Sequence, residues 1–258
     1  MVSNNLCIQE DKVRKFYNNF SSKLLKDYIH GNLRIEAAIK FTISSMPIAP
    51  TNILDIGCGI GWSSWEIKRH YPKASILGVD ISSESIKIAN QLFSARKSLC
   101  FSSQDVVSIL DFRDHFFDAI IMIDSYEHIP RESRDKLHLF LNSTLKNDGV
   151  VILTFPSVFH QKYLRENKPN GLQPIDEDVA IEDMLRLASD IKGYIAYFAF
   201  VDIWHKNDYV HVVIKRGMEK FSKKIWGSNT QRVKLESLFV RKIRVGYRFG
   251  FKLRQQSS

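Results

Sequence analysis

Three glycines at alternate positions, Gly57, Gly59 and Gly61, follow directly on the apolar run Ile53-Leu54-Asp55-Ile56. Such a run is the mark of a strand buried on both faces of a parallel sheet. Glycine tolerates positive φ and lets a ligand approach the backbone, so the turn can present its amides to a bound group. Asp80 closes a second strand-like run, Ser75 to Asp80, 19 positions after Gly61. Strand, glycine turn, helix and acid-ended strand together make a nucleoside-binding unit, in which the carboxylate accepts hydrogen bonds from ribose hydroxyls. Asp55 is the unusual member. An anion two residues before the turn would repel a diphosphate, and it suits a ligand that carries a cationic amine. Two histidines add acid–base chemistry: His128, in the string Tyr126-Glu127-His128-Ile129-Pro130, and His160. Imidazole titrates near the operating pH, which makes each a candidate general base.

The dinucleotide pattern G-x-G-x-x-G/A fails here, because Trp62 or Ser64 stands where its third small residue belongs. The stretch instead resembles the first motif of the class I S-adenosylmethionine-dependent methyltransferases, which runs hydrophobic-hydrophobic-acid-hydrophobic-G-x-G-x-G. Later landmarks extend the resemblance over roughly residues 50–215. It implies a Rossmann-like α/β fold: a seven-stranded, mostly parallel sheet, a helical N-terminal cap and a C-terminal antiparallel hairpin. It also implies S-adenosyl-L-methionine as cofactor and S-adenosyl-L-homocysteine as product, held by Asp55, Gly57, Gly59, Gly61 and Asp80. By the same resemblance Ile81 packs on adenine and Asp105 accepts from the adenine amino group, while Val106 and Asp124 complete the set. A leading segment in this family often covers the cofactor and contributes a tyrosine, so Tyr17 and Tyr28 are candidates. Arg34 is a further candidate, near the cofactor carboxylate. The E-H-I-P string is similar to that of the ubiquinone- and menaquinone-biosynthesis methyltransferases, which act on small molecules.

Methyl transfer from a sulfonium is an in-line displacement that needs alignment and exclusion of water more than covalent catalysis. Hydroxyl acceptors and protonated amines need a base. His128, Tyr126 beside it and His160 are the catalytic candidates; the alternative for His128 is a residue that only orients the strand end. O-methylation of a small molecule in specialised metabolism is the leading expectation, with C- or N-methylation beside it. An RNA-directed enzyme using a basic tail is opposed by the absence of an N-P-P-Y-type string and of a basic patch in the core. No nucleic-acid partner is therefore expected. A nicotinamide oxidoreductase is opposed by Asp55 and by the hairpin.

The elements that must position these residues can be read in order. Val13 to Ile29 and Leu33 to Ile43 carry helix-like periodicity, broken at Gly31-Asn32. Helices are expected over Trp62 to Tyr71, from an N-cap within Ser82-Ser83-Glu84-Ser85 to about Arg96, and over 131–145 and 179–191. Strands are expected at Ile53–Ile56, Ser75–Asp80, Ser98–Ser103, Phe117–Asp124 and, after a turn at 146–149, Val150–Phe155. Residues 156–178 read as an irregular substrate lid, since a long loop inside a compact domain is usually functional. Tyr194–Trp204 and Asp208–Lys215 read as an antiparallel hairpin. From Ile243 to Arg254 apolar side chains alternate with Arg, Lys or Gly, which is strand periodicity. The organisation is thus a cap over 1–48, a cofactor-binding core over 49–215 and an extension over 216–258.

Net charge is +9, and its distribution is uneven. Residues 216–258 hold 12 Lys or Arg against Glu219 and Glu236, so the rest of the chain is near neutral. The extension is expected to pack within the protein or across a homodimer, or else to serve as an arm for anionic surfaces. No apolar run reaches a membrane span, and Met1 to Lys15 is too polar for a signal peptide. Cys7, Cys58 and Cys100 lack metal-ligand spacing and fit a reducing cytoplasm, so a cytoplasmic protein without a bound metal is expected.

Overall fold

The computed structural model describes residues 2–93, 96–106, 116–217 and 234–249. Seven strands, β1 (Asn52–Ile56), β2 (Ser75–Asp80), β3 (Leu99–Ser103), β4 (Phe117–Ile123), β5 (Leu145–Pro156), β6 (Gly193–Val201) and β7 (Tyr209–Arg216), form one sheet in the order 3-2-1-4-5-7-6. The β1–β2, β2–β3, β1–β4 and β4–β5 pairs are parallel, and β7 is antiparallel to both β5 and β6. Strand order reverses at the β1–β4 pair. Ligands of such sheets bind outside the carboxyl ends of the strands at this point.

The apolar runs of the central strands split between two cores, as the period of two requires. Leu54, Ile120, Met122 and Leu153 face one layer; Ile53, Ile121, Ile123 and Ile152 face the other. The first layer contains α5 (Arg131–Thr144) and α7 (Ile181–Asp190), the second α3 (Trp62–His70) and α4 (Ser83–Phe93). The second also receives two leading helices, α1 (Val2–His30) and α2 (Leu33–Ser45). Gly31, at φ +85°, breaks them apart, and the Asn32 side chain accepts from the Arg34 amide at 3.1 Å to cap α2.

Three expectations need correction. The turn at 146–149 lies inside β5, which irregular pairing with β4 between Phe117 and Ala119 accommodates. The lid is not irregular throughout: Val158–Asn167 is helix α6, and a 3-10 turn spans Pro169–Gly171. Pro156-Ser157 reads as a loop opening, but the Ser157 hydroxyl accepts from the His160 amide at 3.2 Å and starts a helix. The tail is a helix as well, α8 (Leu238–Phe249), rather than a strand; residues 250–254 of the alternating stretch lie outside the described residues. A short segment can match both periods, and here tertiary pairing selects the helical one. Arg241 and Val245, four residues apart, turn inward together.

Buried ion pairs fasten α8. Arg241 Nη1 reaches Glu36 Oε1 at 2.9 Å, and its guanidinium lies 4.6 Å from the Trp62 ring centroid. Arg244 donates to both Glu236 oxygens and to the Tyr28 hydroxyl, and the Glu236 amide donates to buried Glu66 at 3.0 Å. Removing one partner of a buried pair leaves the other uncompensated. Arg241→Ala should therefore lower unfolding free energy by roughly 2–4 kcal/mol, the lower end reflecting the partial exposure of Glu36. Urea denaturation checks this, and an unchanged midpoint would show that α8 is not fastened to the domain.

Candidate active site

The glycine turn is built where only glycine fits. Gly57 and Gly59 have φ of +73° and +52°, in the left-handed region. A Cβ on Gly57 would stand 2.4 Å from Ser125 Cβ of the segment after β4, and one on Gly59 would meet Leu24 of α1 at 3.0 Å. The Gly57 and Cys58 amides donate to Val79 O at 2.8 and 3.1 Å, which fixes the turn to β2. Asp80 at the end of β2 then clasps it: Oδ2 accepts from the Gly59 amide and Oδ1 from the Ser82 amide, both at 2.8 Å. Each carboxylate oxygen can accept a second bond, so the clasp leaves capacity for a diol. Burial raises the Asp80 pKa, against the pull of those two amides. Gly61, the third glycine, closes the turn with its amide on Cys58 O at 2.8 Å.

Asp55 is engaged by the protein itself. Its Oδ2 accepts from the Ser63 hydroxyl at 2.6 Å and the Ser64 hydroxyl at 2.5 Å, both in the first turn of α3. A carboxylate at a helix N-terminus is favourable there, and this one anchors α3 beneath the glycine turn. Burial pushes its pKa up to about 6, with the two hydroxyls opposing. Ile81 adjoins Asp80, and Asp105 and Val106 follow β3, the neighbouring strand, so all three lie on the β2–β3 side of the turn.

Helix α1 lies over this crevice. Arg14 Nη1 donates to Ile81 O at 3.1 Å, the Ser82 hydroxyl donates to Asn18 Oδ1 at 2.9 Å, and Leu24 packs at Gly59. Between them Tyr17 places its ring 6.0 Å from that of His128. Its hydroxyl is buried without a hydrogen-bond partner among the described residues, and burial, reinforced by Glu127, raises its pKa. Tyr28 is not part of this roof. It is fully buried between Trp62 and Phe93, with its hydroxyl committed to Glu236 and Arg244, so it serves the packing of α8.

The opposite wall comes from the segment after β4. Asp124 adopts φ +48°, uncommon outside glycine, while its amide donates to Thr154 O at 2.8 Å. Its Oδ2 lies 2.8 Å from Arg34 Nη1, which also donates to the Tyr209 hydroxyl at 2.8 Å. Arg34 is thus paired with protein groups instead of waiting for a cofactor carboxylate. His128 Nδ1 lies 2.7 Å from the Ile175 carbonyl. A carbonyl can only accept, so the proton belongs on Nδ1 and Nε2 keeps its lone pair. Burial lowers the His128 pKa against the opposing pull of Asp176, which favours neutral imidazole. Nε2 stands 3.7 Å from Glu127 Oε1. Glu127 is almost fully buried, and neither carboxyl oxygen has a hydrogen-bond partner among the described residues. Burial and then Asp124 raise its pKa well above the ordinary range, favouring the neutral acid.

His160, from α6, lines the far side, 5.6 Å from Tyr209 and 6.3 Å from Trp204 between ring centroids. Its Nδ1 is unpartnered among the described residues, and burial lowers its pKa while Asp208 opposes. Gln161 donates to Asp176 at 3.2 Å but keeps its own amide oxygen unpartnered. Tyr126 does not join them. Its hydroxyl bonds His138 Nε2 at 2.9 Å, and His138 Nδ1 sits 2.7 Å from Asp190, so the side chain belongs to the α5–α7 layer. Sequence reasoning passed over Glu127, Asp176 and Tyr209. Glu127 had a visible signal beside His128 in the E-H-I-P string; Asp176 and Tyr209 acquire meaning only from the lid and the β5–β7 pairing.

Residues 53–149 match a family model described as a methyltransferase domain. An uncharacterized protein of Rickettsia prowazekii is 32% identical over 131 residues, covering 49% of this chain and 52% of its own. Phosphoethanolamine N-methyltransferase of Plasmodium falciparum is 30% identical over 104 residues, 40% of this chain and 38% of that protein. The chain thus spans about half the length, or less, of these curated relatives. Among solved structures, geranyl diphosphate C-methyltransferase from Streptomyces coelicolor, in complex with Mg2+, geranyl diphosphate and S-adenosyl-L-homocysteine, superposes with a TM-score of 0.61. It does so at 14% identity, covering 81% of this chain and 98% of that one.

The clasped glycine turn, the spare acceptor capacity of Asp80 and the unpartnered Tyr17 hydroxyl fit S-adenosylmethionine. Asp80→Ala removes the acceptor of a diol together with the clasp on Gly59, a loss of roughly 1.5–3 kcal/mol. Calorimetric affinity for S-adenosylhomocysteine should fall about ten- to a hundredfold, and unchanged affinity would remove Asp80 from the site.

Proposed function

We propose that the chain carries a class I S-adenosylmethionine-dependent methyltransferase domain and methylates a small molecule on oxygen, with His128 as the general base. The observation that carries this reading is the His128 Nδ1 contact with the Ile175 carbonyl at 2.7 Å, which turns Nε2 toward Glu127, 3.7 Å away, with its lone pair available. The cofactor supplies a methyl group on a cationic sulfur. Asp80 and the glycine turn would hold its nucleoside, with Ile81, Asp105 and Val106 beside that end. α1 excludes water from above, through Leu24 and Tyr17. Asp124, pinned by Arg34 and the Thr154 carbonyl, sets the direction in which the His128 segment leaves β4.

His128 Nε2 accepts the proton of the acceptor hydroxyl, and the Nδ1–H to Ile175 steadies the imidazolium that forms. Asp176 Oδ1, 3.4 Å from Nδ1, stabilises that cation further. His160 is placed to contact the acceptor from the opposite wall. A second reading, transfer to nitrogen, draws on a specific observation. Asp176 faces this space beside the Arg34-paired Asp124 and the neutral acid Glu127, and a carboxylate with no Arg or Lys partner among the described residues suits an ammonium group. The N-methyltransferase named among the relatives supports the same reading.

A mass-spectrometric screen for gain of one methyl, run over phenols, carboxylic acids and amines, distinguishes the two acceptors. His128→Gln should lower the methylation rate by ~10²–10⁴ and leave S-adenosylhomocysteine binding nearly intact. In the native enzyme the rate should be flat above neutrality and fall only as pH drops below the ordinary imidazole value of 6.5, because the lowered pKa keeps His128 neutral at higher pH. Loss of cofactor binding in His128→Gln would instead mark His128 as structural, and an unaffected rate would transfer the role of base to His160.

A further inference from the structure

Helix α8 is mounted with its anchoring arginines inward and its apolar side chains outward. Arg241, Arg244 and Val245 face the domain, where every acid near the helix, Glu36, Glu66 and Glu236, is engaged. The outer face carries Phe239, Ile243 and Tyr247 at intervals of four, exposed by 72%, 55% and 84%, with Val240 beside them. A Cβ on Gly246, in the same face, would meet nothing within 4 Å. Exposed Lys242 borders the stripe, exposed Arg248 at the end of the helix holds its guanidinium 5.8 Å from the Tyr247 ring centroid, and no acid shares this face among the described residues. An apolar stripe edged by cations is the pattern of a helix lying in a lipid–water interface.

We propose that the outer face of α8 docks on an anionic lipid surface, with Phe239, Ile243 and Tyr247 entering the headgroup–acyl boundary and Lys242 and Arg248 on the headgroups. Charge complementarity selects this occupant. A two-fold contact with a second copy would bring like charges together. A single three-turn face also offers less than the roughly 800 Å² per partner of a standard interface. No helix among the described residues is long and apolar enough to cross a membrane, so the contact is peripheral. Because the inward arginines hold α8 to α1, α2 and α3, the face is presented as a rigid ridge and needs no folding on contact.

Flotation of the full chain with phosphatidylglycerol vesicles tests the proposal, with phosphatidylcholine vesicles as the neutral control. Binding to the anionic vesicles should weaken with salt. It should fall at least about tenfold in Phe239→Ser/Ile243→Ser and in Gly246→Glu, which places an acid in open space on the face. Thermal melting should be unchanged in both variants. Absence of native binding, or full binding by the variants, would overturn the proposal. So would a concentration-dependent dimer in sedimentation velocity that the variants abolish, since a second copy would then be the occupant. A fall in melting temperature in both variants would show that another segment of the chain covers the face, and would overturn it equally.

Discussion

The parallel pairing of β1 with β4 is the constraint from which the site follows. The chain lays β2 and β3 on one side of β1 and then returns to set β4 on the other. The glycine turn and the Asp124–His128 segment therefore leave the sheet side by side, and the Ser125 hydroxyl bonds Ile56 O at 2.9 Å between them. Both faces of the sheet are buried, so a slip of one residue would exchange the side chains of two different cores. The register that keeps Leu54 and Ile53 in their layers also brings Ser125 against Gly57, where no side chain can stand. Packing and site geometry are one requirement here.

Around that crevice the molecule tolerates arrangements that stability alone would not favour. A non-glycine residue held at positive φ costs of order 1–3 kcal/mol, and Asp124 keeps it because its amide and carboxylate are both tied down. The Arg34–Asp124 pair is largely withdrawn from water, where desolvation offsets much of the attraction between the two charges. Glu127 sits beside them as a buried acid with unused hydrogen-bonding capacity. Such costs concentrate on one wall, while the Asp80 side of the turn is hydrogen-bonded throughout. The contrast fits a division in which one wall grips a constant nucleoside and the other receives an acceptor.

Much of this was legible in the residues. The strand at Ser75–Asp80 was read to the residue because a glycine turn, a helix and a terminal acid constrain its position from both sides. The break at Gly31-Asn32 was legible from local chemistry alone. What was not legible depended on partners distant in sequence. Tyr126 and Tyr28 looked like site residues by neighbourhood, but each has a buried polar partner more than ten residues away that draws its side chain into the packing. The tail misread has the same origin. Alternation from Ile243 onward satisfied a strand pattern, while Arg241 is drawn inward by Glu36 of α2 and Glu66 of α3, and Arg244 by Tyr28 of α1 and by Glu236 just before α8. Asp55 stands out in an otherwise apolar strand, but its contact with two serines in the first turn of α3 becomes visible only in the fold.

Helix α1 is held at its middle and near its carboxyl end by contacts of unlike strength. Near its carboxyl end Tyr28 is locked into a buried aromatic and ionic cluster with α8; near Arg14 and Asn18 single hydrogen bonds in exposed or half-buried surroundings join it to the end of β2. Local opening follows the weakest set of contacts, so the segment bearing Arg14, Tyr17 and Asn18 detaches long before Tyr28 does. The proposed nucleoside site thus lies under the more lightly fastened stretch of α1, so opening of that site would pivot about the Tyr28 cluster.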